Sequence, residues 1–121
     1  KITKKSITTV FGCGGDRDKH KRSVMLDVVS KNSDFVIITS DNPRNETFDE
    51  ITKDMLSNSS NDEIKRYFIV EDREQAIKLG CTLSIQKKSL LLVAGKGHEK
   101  FQEKNGIKTP FDDKKIIIKY S

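Results

Sequence analysis

The sequence contains no tryptophan, few cysteines, prolines and histidines, and no long apolar run. Cys13 and Cys81 form no CxxC pair and no signal peptide precedes them, so both are predicted to be reduced thiols in a cytoplasmic protein. Neither His20 nor His98 has a second ligand at zinc spacing, which excludes a recognisable metal motif. The longest apolar run is far shorter than the roughly 20 residues needed to cross a bilayer, so no membrane partner is predicted.

The chain is short and strongly charged. Its 121 residues have the length of one domain with one modest core. Hydrophobic and charged residues each make up 34%, and the net charge of +5 favours an anionic ligand without selecting one. A basic nucleic-acid-binding module is the alternative of another class. It is not favoured, because the sequence has no RNA-binding signature and no aromatic residues interleaved on its predicted strands.

Short β-branched runs alternate with stretches of helical period, which is a strand-helix-strand rhythm. The predicted strands cover residues 7–13, 35–39, 67–70 and 89–95. In the first helix, the residues expected to face the core are Val24, Met25, Val28 and Val29. Apolar strands separated by helices predict an α/β fold, a doubly wound, mostly parallel Rossmann-like sheet with helices on both faces.

The later part of the chain is less regular than the first. Thr47 and Glu50 have the spacing of a capping box at the start of a second helix, residues 57–62 read as a loop, and a third helix is predicted from residue 72 to about 86. Asn105-Gly106 predicts a type I′ hairpin within residues 101–111. Residues 116–120 read as a strand by propensity, with a terminal helix as the alternative.

A polar cluster follows each predicted strand: GGDRDKHKR, SDNPRNE, EDRE and GKGHE. In an open parallel sheet the ligand crevice lies beyond the carboxyl ends of the strands, so these clusters are expected to converge. Polar residues are also ordinary in turns, and the glycines match neither a dinucleotide fingerprint nor a P-loop. Arg17 could clamp a carboxylate and Glu99 could bind an ammonium group, so the residues by themselves indicate an anion or zwitterion site.

Four segments carry a resemblance to a known family: VFGCGGDRDKHKR, TSDNPRNE, VEDREQAI and LLVAGKGHEKFQ. They resemble, in order and spacing, the C-terminal domain of the Mur ligases, specifically the MurE-type members that add the third amino acid to the peptidoglycan precursor. The match runs from about Ile7 to Asp113, which is nearly the whole chain. The combination of DNPR with GKGHE is its most specific part.

The resemblance implies that residues 1–121 are the C-terminal, amino-acid-binding domain of a three-domain cytoplasmic ligase, expected to be a monomer. The N-terminal domain and the central ATPase domain with its P-loop are absent from this sequence. Such ligases use ATP and Mg²⁺ to convert the D-glutamate carboxyl of UDP-N-acetylmuramoyl-L-alanyl-D-glutamate into an acyl phosphate, which the incoming amine attacks. The chain is therefore expected to hold no catalytic residue and to be inactive by itself. A regulatory or scaffold domain that kept the fold stays an alternative, which the presence or absence of an upstream P-loop would decide.

The resemblance also assigns roles to individual residues. Those implied to bind meso-diaminopimelate are Arg17, Asp41, Asn42, Pro43, Arg44, Gly95 and Glu99. Arg44 and Asn42 would bind the carboxylate at the far end of that amino acid, and Glu99 its ammonium group. A lysine-adding ligase is the near alternative, which Arg44 disfavours because lysine lacks the second carboxylate.

Two further sets of residues match family segments. Asp16, Lys21 and Arg22 resemble the segment by which this domain touches ATP. Asp72 and Arg73 match as well, although a structural ion pair at the head of a helix explains them equally.

Overall fold

The computed structural model describes residues 6–96 and 99–121. Four parallel strands form one sheet in the order β3-β2-β1-β4. These strands are β1 (Ile7–Phe11), β2 (Phe35–Ile38), β3 (Phe68–Ile69) and β4 (Leu90–Ala94). The helices are α1 (His20–Lys31), α2 (Phe48–Met55), α3 (Asn61–Arg66), α4 (Arg73–Lys87) and α5 (Asp113–Tyr120), and an antiparallel hairpin consists of β5 (Phe101–Lys104) and β6 (Ile107–Pro110). The predicted α/β class and parallel sheet are confirmed.

The core has two halves because consecutive strand residues point to opposite faces of the sheet. Phe11 and Ile38 pack beneath α1 and α2, whereas their neighbours Val10 and Ile37 pack beneath α4 and α5. Helix α4 lies very close to the sheet, since a Cβ at Gly80 would come within 2.9 Å of a Val10 methyl group. Both faces of the central strands are therefore covered, as expected for a doubly wound sheet.

The prediction for the inward face of α1 was wrong for Val24, Met25 and Val28, whereas Val29 does pack against the core. Val24, Met25 and Val28 are 56%, 44% and 57% exposed, and Val29 is only partly buried. The residues that α1 buries are Arg22, Ser23 and Leu26. The error has a physical cause, because the contact face of this helix carries a buried arginine and an apolar pattern cannot reveal a buried ion pair.

The edge strand β4 is also more exposed to solvent than its apolar sequence predicted. Leu90 and Leu92 are each 54% exposed on one face, whereas Leu91 and Val93 pack on the α4 side. A run of apolar residues thus predicted the strand correctly but not its burial on both faces.

Two helix starts depend on capping boxes. The predicted box at Thr47 is confirmed, since its hydroxyl accepts from the Glu50 backbone N–H at 3.1 Å and the Glu50 carboxylate accepts from the Thr47 N–H at 3.2 Å. The predicted loop at residues 57–62 is wrong at its end, because α3 begins at Asn61. Ser60 and Glu63 form the same reciprocal cap, a signal that the sequence contained.

The end of the chain is helical, so the strand propensity of residues 116–120 was misleading and the helical alternative was correct. Asp112 caps α5 by accepting from the Lys114 N–H at 3.1 Å. Ile116 and Ile117 pack against the hydrophobic cluster beneath α4. The partial burial of their side chains stabilises the helical conformation. The Asn105-Gly106 hairpin is confirmed, with both residues at the positive φ angles that this turn requires.

Within the described residues, no helix is long and apolar enough to cross a membrane. The loops after β1, β2 and β4 leave the same edge of the sheet, at its carboxyl end. The polar clusters that follow these strands are therefore brought together in one crevice.

Candidate functional site

The crevice contains a cavity of about 680 Å³. Loops after three strands line it, and most of the predicted site residues are among its walls. These residues are Arg17, Lys21, Arg22, Asp41, Asn42, Arg44, Gly95 and Glu99. Pro43 lies instead on a neighbouring cavity, and Asp16 lines neither.

Asn42 is buried, and both ends of its side-chain amide have partners within the protein. Its Nδ2 donates to Glu99 Oε1 at 3.1 Å, while its Oδ1 accepts from Lys96 Nζ at 3.1 Å and from the Glu103 backbone N–H at 2.9 Å. The expected role of Asn42 was a direct bond to a ligand carboxylate. In this structure Asn42 supports the Glu99 carboxylate on the cavity wall, and because Glu99 takes only one of the two Nδ2 hydrogens, the bond to a ligand stays a prediction.

Lys96 is a buried cation to which the sequence analysis assigned no role. Its ammonium lies 3.0 Å from Asp41 Oδ1 and also donates to the Phe101 backbone carbonyl at 2.8 Å. Asp41 is buried as well, so the two charges neutralise each other within the wall of the crevice. The signal that could have found Lys96 is a lysine directly after a strand, between two glycines, where no phosphate-binding motif explains it.

Arg44 lines the crevice and has a left-handed backbone conformation, with φ of 52°. The hairpin holds it there, because the Arg44 N–H donates to the Glu103 carbonyl at 3.0 Å and its own carbonyl accepts from Asn105 at 2.7 Å. One guanidinium nitrogen, Nη1, donates to the Gly15 carbonyl at 2.9 Å. Among residues 6–96 and 99–121, no hydrogen bond uses Nη2, which leaves one donor arm for a ligand.

Glycines allow the loops to touch backbone to backbone. The Gly15 N–H donates to the Asn42 carbonyl at 2.7 Å, and a Cβ on Gly15 would overlap the Pro43 carbonyl. Gly95 has φ of 117° and faces the Gly12 carbonyl, where a Cβ would come within 3.0 Å. These glycines therefore let the loops that form the crevice approach each other closely, and Pro43 is one of the residues approached.

Arg22 is buried, and its guanidinium is occupied inside the protein. Nη2 donates to Glu46 Oε1 at 2.7 Å and to the Gly14 carbonyl at 3.0 Å, and Nη1 donates to Asp54 Oδ2 at 2.9 Å. The hydrogen bond from Arg22 lowers the pKa of Glu46 to about 2, and the Asp16 N–H also donates to that carboxylate. This arrangement ties α1 to the loop after β2 and to α2.

The three residues expected to touch ATP are thus in different surroundings. Lys21 is exposed and lines the cavity. Asp16 is exposed outside it and accepts from Asn45 Nδ2 at 2.9 Å. Arg22 belongs to the internal ion-pair network.

Arg73 forms a structural ion pair, in line with one of its two interpretations, but its partner is Asp113 and not Asp72. It is buried and donates to both Asp113 carboxylate oxygens, at 2.8 and 2.7 Å. It also donates to the carbonyls of Ser40 and Ala94, so it ties the ends of β2 and β4 to the start of α5. Asp72 caps α4 by accepting from the Gln75 N–H at 3.0 Å.

The cavity wall also contains one thiol, which is not activated. Burial raises the pKa of Cys13 to about 11, so the side chain stays protonated near neutral pH. The same cavity is lined by charged side chains of both signs, among them Arg17, Arg44 and Glu99, which suits binding and orientation of a charged ligand.

Comparisons with known proteins agree with this architecture. The family model described as "Mur ligase, glutamate ligase domain" matches residues 1–97. A ligase of Cytophaga hutchinsonii named "UDP-N-acetylmuramoyl-L-alanyl-D-glutamate--2,6-diaminopimelate ligase" is 50% identical over 92% of this chain and 23% of its own length. Identically named proteins of Bacteroides thetaiotaomicron and Rickettsia typhi are 47% and 42% identical, each over 94% of this chain.

A solved structure gives the same result for the fold. The structure of a protein with that ligase name superposes with a TM-score of 0.87 at 38% identity, and the match covers 95% of this chain and 23% of that one. The chain thus spans about a quarter of the length of the relatives it matches. From its sequence, its sheet and the crevice at the carboxyl ends of its strands, we conclude that this chain belongs to the Mur ligase family and corresponds to the glutamate ligase domain of that family.

Proposed function

We propose that this chain is the amino-acid-binding domain of an ATP-dependent ligase that adds meso-diaminopimelate to UDP-N-acetylmuramoyl-L-alanyl-D-glutamate. One observation carries the proposal: the Glu99 carboxylate and the Arg44 guanidinium line the same cavity. The far end of meso-diaminopimelate carries one ammonium and one carboxylate group. A fixed acid and a fixed guanidinium in one cavity are complementary to that pair of charges.

The roles of the individual residues follow from their charges. Glu99, held by Asn42, would accept the ammonium group, and Arg44 would donate to the carboxylate through its Nη2 arm. Arg17 is exposed on the same cavity and would add a second cation for the carboxylate. Asp41, Pro43 and Gly95 would shape the walls.

This chain would serve the reaction by orientation rather than by bond-making. When the far end of the amino acid is anchored in the crevice, its other amine is free to point toward the acyl phosphate formed elsewhere in the ligase. Holding two reactants in one geometry removes much of the entropic cost of their encounter, and domain closure excludes water that would hydrolyse the acyl phosphate.

ATP and Mg²⁺ are assigned to the rest of the ligase. Within residues 6–96 and 99–121, no three histidine, cysteine, aspartate or glutamate side chains are gathered to hold a metal ion. Lys21 at the cavity rim would contact the ATP phosphates, while Asp16 and Arg22 would shape the turn from which it projects. The complete ligase is proposed to be a monomeric cytoplasmic enzyme, as the family resemblance implies.

The test is a comparison of amino acids in the complete ligase. With meso-diaminopimelate, kcat/KM is expected to exceed that with L-lysine by at least about 30-fold, because lysine would leave the Arg44 charge unpaired at a cost of about 2 kcal/mol or more. The two amino acids differ only in the far carboxylate, so each is the matched control for the other. Preference for L-lysine would instead identify the lysine-adding variant of the enzyme.

A further inference from the structure

The ammonium group of Lys96 lies where three segments of the crevice wall meet. It contacts Asp41 Oδ1 at 3.0 Å, Asn42 Oδ1 at 3.1 Å and the Phe101 carbonyl at 2.8 Å. The Phe111 ring lies on another side, with its centroid 5.9 Å from Nζ. Lys96 is only 3% exposed, so these contacts replace water around its charge.

This contact decides which way the Asn42 amide points. Its Oδ1 accepts from two donors, Lys96 Nζ and the Glu103 N–H at 2.9 Å. A flipped amide would place its NH₂ group against both donors, which is repulsive. The Nδ2 group is therefore directed at Glu99 Oε1, 3.1 Å away.

We propose that Lys96 is a positioning residue for substrate specificity: its ammonium fixes the Asn42 amide, which in turn holds the Glu99 carboxylate for the ammonium group of the incoming amino acid. Lys96 acts through Asn42 and does not need to touch the ligand. The inference rests on the proposed function, since it assigns the ligand of Glu99. It adds a residue of the GKGHE segment to those that determine selectivity.

The test is Lys96→Met in the complete ligase, which keeps the length of the side chain and removes the charge. The KM for meso-diaminopimelate is expected to rise about 10- to 100-fold, because loss of a charged hydrogen bond frees Asn42 to rotate. The KM values for ATP and for the UDP-linked substrate are expected to stay within about twofold, since none of the groups that Lys96 contacts is assigned to either ligand. KM does not depend on the fraction of folded enzyme, so partial unfolding does not obscure the result.

A matched control distinguishes this positioning role of Lys96 from a merely structural one. Met55→Ala removes a buried side chain of α2 that does not itself line the cavity, and it lowers the unfolding temperature. It is expected to leave all three KM values unchanged. If Lys96→Met raises the three KM values together, or leaves that for meso-diaminopimelate unchanged, the positioning role is overturned.

Lys96→Arg decides the matter if Lys96→Met fails to fold. Arginine keeps the charge beside Asp41, but its planar fork cannot reproduce the single-nitrogen contacts to Asn42 and Phe101. A raised KM for meso-diaminopimelate with a normal KM for ATP supports the proposal, and a wild-type KM overturns it. Failure of the wild-type ligase to use meso-diaminopimelate would refute the proposed function itself, and it is visible before any variant is made.

Discussion

Replacing Arg44 with methionine in the complete ligase is expected to raise the KM for meso-diaminopimelate by about 30- to 1000-fold. The guanidinium lines the cavity, and in the described part of the chain its Nη2 group has no hydrogen-bond partner, so a ligand carboxylate would complete it. Losing a charge-assisted contact in a partly buried site costs about 2–4 kcal/mol. Steady-state kinetics with varied meso-diaminopimelate measures the effect.

Two controls separate recognition from damage to the loop. Arg44 also donates to the Gly15 carbonyl, so its loss could loosen the crevice for any ligand. The KM for L-lysine should change much less, because lysine presents no far carboxylate to Arg44. Lys100→Met removes an exposed positive charge next to Glu99 and should leave kinetics unchanged. An equal loss for both amino acids in Arg44→Met would contradict the assignment.

Replacing Arg22 with methionine is expected to lower the free energy of unfolding by about 3–5 kcal/mol. The guanidinium bonds Glu46, Asp54 and the Gly14 carbonyl in a site where Arg22 is almost fully buried. Without it, the Glu46 carboxylate, only 11% exposed, keeps its charge with no cation at hydrogen-bond distance. Urea unfolding of the 121-residue chain measures the difference.

The same network predicts a dependence on pH. The hydrogen bond from Arg22 lowers the pKa of Glu46 to about 2 from an ordinary value of 4.5, so its stabilisation is complete above about pH 4.5. It is lost as the pH falls from 4.5 toward 2, by about 2 kcal/mol for this partly solvated pair. Arg22→Met should lack this contribution.

The control for Arg22→Met is Lys21→Met, at the neighbouring exposed position of α1. It is expected to change the stability by less than about 0.5 kcal/mol. If Arg22→Met is as stable as Lys21→Met and keeps the wild-type acid transition, the Arg22 network is not a main support of this fold.

The sequence predicts the strands and the position of the crevice well. Their signals are local: the run Phe35–Ile38 is apolar, and the motif that begins at Asp41 follows directly at its carboxyl end. The parallel topology then brings Asn42 and Glu99 within 3.1 Å across 57 positions of the chain.

What the sequence cannot predict is which charged residues are buried. Arg22 and Lys96 have partners that are remote in the chain, at Glu46 and Asp41, and a pattern of apolar residues gives no sign of either pair. The buried arginine is also why the inward face of α1 was predicted wrongly. In α5, packing of isoleucines against α4 overrides their strand propensity.

The crevice is proposed to recognise the far amino-acid head of meso-diaminopimelate. An amide NMR titration of the chain with meso-diaminopimelate, and with L-lysine as the control, tests it most directly. Shifts at Arg17, Asn42, Arg44 and Glu99 are expected with meso-diaminopimelate and not with L-lysine. Equal shifts with both amino acids, or shifts that avoid these residues, would contradict it.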